Sequence, residues 1–400
     1  TVPVIGEKGV KINVNEPKKA NFPSRKLTKF GGQFPSWNSN GDVVYWTLGK
    51  TLFKYDIPVA KAFENKQKKE IKLKEKEKDS INNDTSKKDV IEENVTKDYQ
   101  ALEREIIVKI RRAIPKGDLA FTNATLITMK GKEVISNGTI LIKNNRILKI
   151  GKSENIVLPE GVKIIDVKGK FILPGFVDTH SHMWPSWGLH KKHVWVYSAN
   201  LAYGVTTTRD PQTATTDVLT YADMVEAGII SGPRIYSTGP GVGYWGYNIK
   251  SLDHARDVLM QYSKYYNTKT IKMYLTGNRQ HRQWIIQAAK EQKLMPTTEG
   301  GLDFKLNITQ ILDGYPGHEH SFPIYPLYGD FVDFVSKSKT AYTPTLLVSY
   351  GGPWAENFYY ATENVQGDAK INRFTPKSEL DSKSRRRNAG WFMKEEHVFE

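Results

Sequence analysis

The chain has 400 residues, enough for two or three domains and a sizeable core, and its hydrophobic and charged fractions are those of an ordinary globular protein. It has no cysteine, which excludes disulfides, a thiol nucleophile and thiolate zinc sites, and no apolar run approaches the length needed to cross a bilayer. Its 58 Lys and Arg against 43 Asp and Glu give a formal charge of +15. That balance raises a nucleic-acid reading, but charges of both signs alternate through Lys72-Leu73-Lys74-Glu75-Lys76-Glu77-Lys78-Asp79 with no interleaved aromatics. Such a run describes a solvated segment, so we expect no nucleic-acid partner.

The start, Thr1-Val2-Pro3-Val4, carries neither an initiating Met nor a basic-then-apolar signal pattern, and reads as a cut edge. Short strands at Val43–Thr47 and Leu52–Tyr55, separated by Asn-Gly and Gly turns, predict antiparallel β structure over 1–58. Residues 59–104, rich in Lys, Glu, Asp and Asn, read as a charged linker or insertion with some helical tendency. The β signal returns at Ile106–Ile110, Leu119–Thr122, Ala124–Met129, Thr139–Ile142 and Arg146–Ile150, with a tight turn at Asn144-Asn145. These strands predict a small β-sandwich over 105–170.

From Phe171 strands alternate with helical stretches, the mark of βα units. Candidate strands are Phe171–Asp178, Val205–Arg209, Arg234–Thr238, Thr270–Leu275, Leu294–Thr298, Gly317–His320 and Ala341–Leu347. The apolar run at Phe171–Val177 reads as a buried strand that stops at His180-Ser181-His182. Two imidazoles at i and i+2 beyond a buried strand project to one side and could begin a metal site.

Pro174-Gly175-Phe176-Val177-Asp178-Thr179-His180-Ser181-His182 resembles the first barrel strand of the amidohydrolase superfamily, metal-dependent hydrolases on a (β/α)8 barrel. The resemblance runs from around Gly117 onward. It is closest to the branch related to imidazolonepropionases and prolidase-like dipeptidases, and there to proteins with a Tol-type β-propeller ahead of the hydrolase. Phe34-Pro35-Ser36-Trp37 with Gly41-Asp42 resembles the end of a propeller blade. The implied fold is α/β: a TIM-type barrel over 171–400 with a flanking sandwich and the last blade of a propeller. Seven strand candidates against eight required imply a missing eighth strand and a chain truncated at both ends.

Catalytic residues of such barrels stand at the C-terminal ends of strands. His180 and His182 end strand one. Lys272, between apolar neighbours on strand four, matches the lysine that the family carbamylates as a bridging ligand. A buried lysine can lose its proton, which that chemistry needs. Glu299 ends strand five, where much of the superfamily has histidine; a carboxylate remains a competent ligand. On strand six His320, just before Ser321, matches the family ligand. His318 should share its side of the strand, and Glu319 should face the helical layer. Trp184, His318 and Tyr244 are candidates for binding substrate. Gly241–Gly246 fits G-x-G-x-x-G, but Tyr244-Trp245 and the lack of a following helix argue against a dinucleotide. No G-x-S-x-G occurs. The resemblance puts the proton-transferring aspartate on strand eight, beyond Glu400, and Asp210 does not match it by position.

The sequence thus predicts a hydrolase acting on amide or other C–N bonds of a peptide-like or cyclic amide substrate, through water activated by one or two divalent ions, zinc first among them. The alternative is a propeller–barrel scaffold that no longer catalyses. A homo-oligomer is compatible with either reading. The propeller resemblance suggests a periplasmic or secreted setting.

Overall fold

The computed structural model describes residues 19–20, 24–81, 98–183, 185, 188–243, 247–274, 276–324, 326–345 and 363–385. The fold is mixed α/β, and the chain divides into two units, residues 1–108 with 256–267, and residues 109–255 with 268–400. Among the described residues no helix is long and apolar enough to cross a membrane.

The first unit holds a four-stranded antiparallel sheet in sequential order: β1 (Gln33–Trp37), β2 (Val43–Leu48), β3 (Thr51–Asp56) and β4 (Leu102–Glu105). Alternation sets its faces. Val44, Trp46, Leu48, Phe53 and Tyr55 are buried in one cluster with Tyr265, and the rings of Trp46 and Phe53 stack 5.3 Å apart. Between β3 and β4 the charged insertion is helical over α1 (Ile57–Ile81). Asp56 caps it by accepting the Val59 N–H at 3.1 Å. Pro58 is tolerated in the first turn, where its missing N–H would have no intrahelical partner. The strand expected at Ile106–Ile110 lies instead at Leu102–Glu105, paired with β3, while residues 106–110 form no strand. Apolar content alone makes no strand without a partner edge, and β3 supplies that edge to residues 102–105.

The second unit opens with β5 (Asp118–Ile127), β6 (Val134–Lys143), β7 (Arg146–Lys152), β8 (Lys163–Asp166) and β9 (Phe171–Ile172) in one sheet of order β7-β6-β5-β8, with β9 also on β5. Two expected strands merge into β5, with a register shift where Asn123 takes positive φ. Asn144 also takes positive φ in the two-residue turn between β6 and β7. Ala124, Leu126 and Ile140 form the buried side.

Parallel strands follow: β10 (Phe176–Asp178), β11 (Val205–Asp210) and β12 (Arg234–Ser237) in one sheet, then β13 (Thr270–Met273), β14 (Met295–Thr298), β15 (Gly317–His318) and β16 (Ala341–Tyr342) in another. Beyond β12, Val242 forms an isolated parallel bridge to Met273 on β13. The helices between the strands include α2 (Trp195–Ala202), α3 (Asp217–Glu226), α5 (Arg279–Glu291), α6 (Phe304–Leu312) and α7 (Gly329–Ser338), with α4 (Leu252–Met260) running into residues 256–267 of the first unit. Each of the seven expected strands has a counterpart here, although residues 346–347 of the last lie outside the described ones.

The first expected strand, Phe171–Asp178, is two. Pro174-Gly175 breaks it, so that Phe171–Ile172 pairs with β5 and Phe176–Asp178 with β11. Nor is it buried: Phe176 and Val177 are 58% and 61% exposed.

The parallel run is strongly curved. Arg209 on β11 reaches Thr297 on β14 at 3.2 Å. β12 and β13 lie between them in chain order, and in one flat sheet of that order β11 and β14 would stand about 14 Å apart, a gap that perpendicular side chains could not close.

Gly49, first of two loop residues between β2 and β3, has φ +53°, and a Cβ there would lie 2.2 Å from the Tyr265 carbonyl oxygen. Gly49→Ala should therefore lower stability by more than about 1 kcal/mol, read as the shift in a urea midpoint at unchanged slope.

Candidate functional site

At the C-terminal ends of the parallel strands the curvature gathers charged and imidazole side chains. Lys272 on β13 is 1% exposed, between Ile271 and Met273, each fully buried. Its Nζ lies 2.9 Å from Glu299 Oε2, just past the end of β14, and 4.9 Å from the centre of the Tyr274 ring. The other Glu299 oxygen is 3.8 Å from His320 Nδ1, near but beyond hydrogen-bond distance. The ring of His320 is centred 5.2 Å from that of His180, and the ring of His180 is 5.2 Å from that of His182. His180, His182, Lys272, Glu299 and His320, five positions chosen from strand ends, thus form one continuous cluster.

Hydrogen bonds aim these groups. His182 Nδ1 is 3.0 Å from the Gln212 carbonyl oxygen, which only accepts, so the proton sits on Nδ1 and Nε2 keeps its lone pair. Gln212 is in turn held by the Tyr274 hydroxyl, which donates to its Oε1 at 2.8 Å. Burial pushes the His182 imidazole below its usual range, and pushes His320 down to about 4 against the pull of Glu299. Both are therefore neutral near pH 7, the form in which imidazole binds metal.

Four residues differ from expectation or were given no role by the sequence. His318 does not stand beside His320. Its ring packs 4.7 Å from Phe322 and 6.2 Å from Tyr342, and its Nε2 would lie 2.7 Å from a Cβ at Gly300. Glu319, expected toward the helices, turns into the site: Oε2 is 3.3 Å from His180 Nδ1 and Oε1 is 2.7 Å from Arg209. Both corrections have one cause. Strand β15 ends at His318, and its Nδ1 donates to the His320 carbonyl at 2.9 Å, so regular alternation stops there. Burial tends to raise the Glu319 carboxyl, but the His180 hydrogen bond and the Arg209 charge outweigh it and hold the group at about 2. Asp210, fully buried, accepts the Gln212 N–H at 3.0 Å and lies 3.9 Å from His182 Nδ1. Burial raises its carboxyl to about 7 despite that hydrogen bond. Arg209 carried a faint signal, a charge at the end of a threonine-rich strand. Trp184 and Tyr244 lie outside the described residues.

As placed, no three His, Asp or Glu side chains among the described residues could hold one metal ion. The Lys272 ammonium is the cation beside Glu299. In kind, three imidazoles and a carboxylate do suit a borderline divalent ion.

No family model matches the chain. Over 64 residues it is 42% identical to a 5-methylthioadenosine/S-adenosylhomocysteine deaminase of Bacillus thuringiensis (strain Al Hakam), a stretch covering 16% of this chain and 15% of that protein. The same values hold for the deaminase of that name from Bacillus anthracis. The chain thus spans about 15% of the length of the curated relatives it matches. Among solved structures, a Xaa-Pro dipeptidase with methionine bound in its active site is 17% identical with a TM-score of 0.49, covering 68% of this chain and 77% of that one. Phenylurea hydrolase B is 18% identical with a TM-score of 0.46, covering 56% and 64%. At these values the structural likenesses carry no argument, and function is read from the geometry.

The Lys272–Glu299 pair has a testable consequence. Glu299→Ala would leave a buried ammonium uncompensated and should cost about 3 kcal/mol, while adding Lys272→Met should recover most of the loss. Urea denaturation of parent, single and double variants measures both.

Proposed function

We propose that this cluster is the centre of a metal-dependent hydrolase acting on amide or other C–N bonds of a peptide-like or cyclic amide substrate. The observation that carries the reading is the convergence of His180, His182, Lys272, Glu299 and His320 at the C-terminal ends of parallel strands. Similarity over 64 residues to a protein named as a deaminase, whose reaction also breaks a C–N bond, supports it. The proposed architecture is a (β/α)8 barrel over 171–400 with its flanking sandwich over 105–170, and residues 1–58 would be the last blade of a propeller.

His180, His182, His320 and Glu299 would hold the ion, with zinc the first choice for that donor set. Such an ion supplies Lewis acidity toward a substrate carbonyl and a water acidic enough to attack near neutral pH. Lys272 would join the ligands as a carbamate, formed when its neutral amine adds to carbon dioxide and a proton is released to solvent. Charge balance favours that pairing. Arg209 and Lys272 offset Glu319 and Glu299, so these four groups together carry no net charge. Turning Lys272 from cation to anion removes two positive charges, which one divalent ion restores. A second ion would leave buried charge uncompensated. The chain's own groups would do the rest: burial keeps His182 and His320 neutral, and Gln212 fixes the ring of His182.

The rival reading, a scaffold without catalysis, draws on the same ion pair, since Lys272 and Glu299 satisfy each other. Metal content separates the two. Purified protein should contain a divalent metal by elemental analysis, lose it in the His180→Ala/His182→Ala double variant, and hydrolyse members of a dipeptide and cyclic-amide panel in a chelator-sensitive way. The same metal content in the double variant would rule out these ligands. Metal-free, inactive protein would favour the scaffold.

A further inference from the structure

His180 meets two oxygens through one nitrogen. Its Nδ1 lies 3.1 Å from Thr345 Oγ1 and 3.3 Å from Glu319 Oε2. Proton accounting decides which atoms donate. The Thr345 hydroxyl donates to the Glu319 backbone carbonyl at 2.7 Å. A hydroxyl has one proton, so toward His180 it can only accept. The Glu319 carboxylate, paired with Arg209 at 2.7 Å, is likewise an acceptor. A proton on His180 Nδ1 serves the Thr345 acceptor and faces the Glu319 carboxylate, and in the neutral ring it leaves Nε2 bare.

The acceptors are themselves fixed. The Glu319 side chain is 2% exposed. Arg209, which anchors it, donates to Thr297 Oγ1 at 3.2 Å and to the Thr179 carbonyl at 3.4 Å. Thr179 directly precedes His180, so the guanidinium grips the carboxylate and the backbone beside the ring at once. The arrangement draws on β11, β14 and the chain beyond β15 and β16.

We propose that Arg209, Glu319 and Thr345 form a positioning relay that locks His180 in its Nδ1–H tautomer and presents Nε2 as a ligand atom. The relay deepens the metal-site reading and, for its consequence on affinity, rests on it. None of the three residues need touch substrate; they act through His180.

The test uses the full chain with 15N-labelled histidine. In metal-free protein, long-range 1H–15N spectra, with His180 assigned by its loss in His180→Asn, should show His180 protonated at Nδ1. Thr345→Val, of nearly the same shape, and Glu319→Gln should shift that ring toward a mixture of tautomers. Zinc affinity, read by competition with a chromophoric chelator, should fall about 10–100-fold, with partial recovery in Glu319→Asp. If Glu319→Gln does not fold, Thr345→Val decides alone. An unchanged His180 tautomer in folded variants, with zinc affinity within about twofold of the parent, would overturn the relay. A parent chain that binds no zinc would sink the metal reading, while the spectra would still decide the tautomer lock.

Discussion

A guanidinium largely withdrawn from water needs partners, and Arg209 finds them on three parts of the second unit. Its partners stand on the chain beyond β15, on β14, and beside His180 at the end of β10. Satisfying one cation from three parts of the second unit requires the parallel strands to curl. The same curl brings His180, His182, Lys272, Glu299 and His320 within contact of one another. Removing water from such ions costs several kcal/mol each, which only close, well-oriented partners offset. The curvature and the site are therefore two consequences of one constraint.

Burial also sets the state of the imidazoles. A charged ring is disfavoured in a desolvated pocket, so His182 and His320 shed their protons even with Glu299 close by. Neutral rings have two unlike nitrogens, and their neighbours choose between them. At His182 the chooser is a backbone carbonyl; at His180 it is a hydroxyl whose proton is already committed. Under the proposed relay, His180 would reach the same tautomer as His182 by different means.

Strand positions were legible in the sequence because βα alternation and strand-end chemistry are local signals. Together with the family resemblance, which pointed to Lys272 and to His320 rather than His318, they selected the five clustered residues. What was not legible depended on where local order stops. Nothing in Gly317-His318-Glu319-His320 says that pairing ends at His318, yet that ending exchanges the sides of His318 and Glu319. Pro174-Gly175 did announce a break, but the apolar run around it concealed that its two halves serve different sheets. The helix at Ile57–Ile81 follows from a run of good helix formers and the Asp56 cap, which composition alone had read as a linker. Arg209 acquires meaning only when β11, β14 and the end of β15 are brought together.

Position 299 carries a carboxylate where the resemblance would put histidine in much of the superfamily. The surroundings of Lys272 give that carboxylate a physical reason. Lys272 is buried at 1% exposure and needs an anion within reach. Glu319 is engaged by Arg209 and His180, and Asp210 is raised to about 7 by burial and oriented by the Gln212 and Met183 N–H groups. Glu299, at 2.9 Å, is the group left to balance the ammonium. A histidine there would leave a buried charge without a counter-ion whenever the lysine was unmodified. The carboxylate at 299 is thus matched to the lysine beside it.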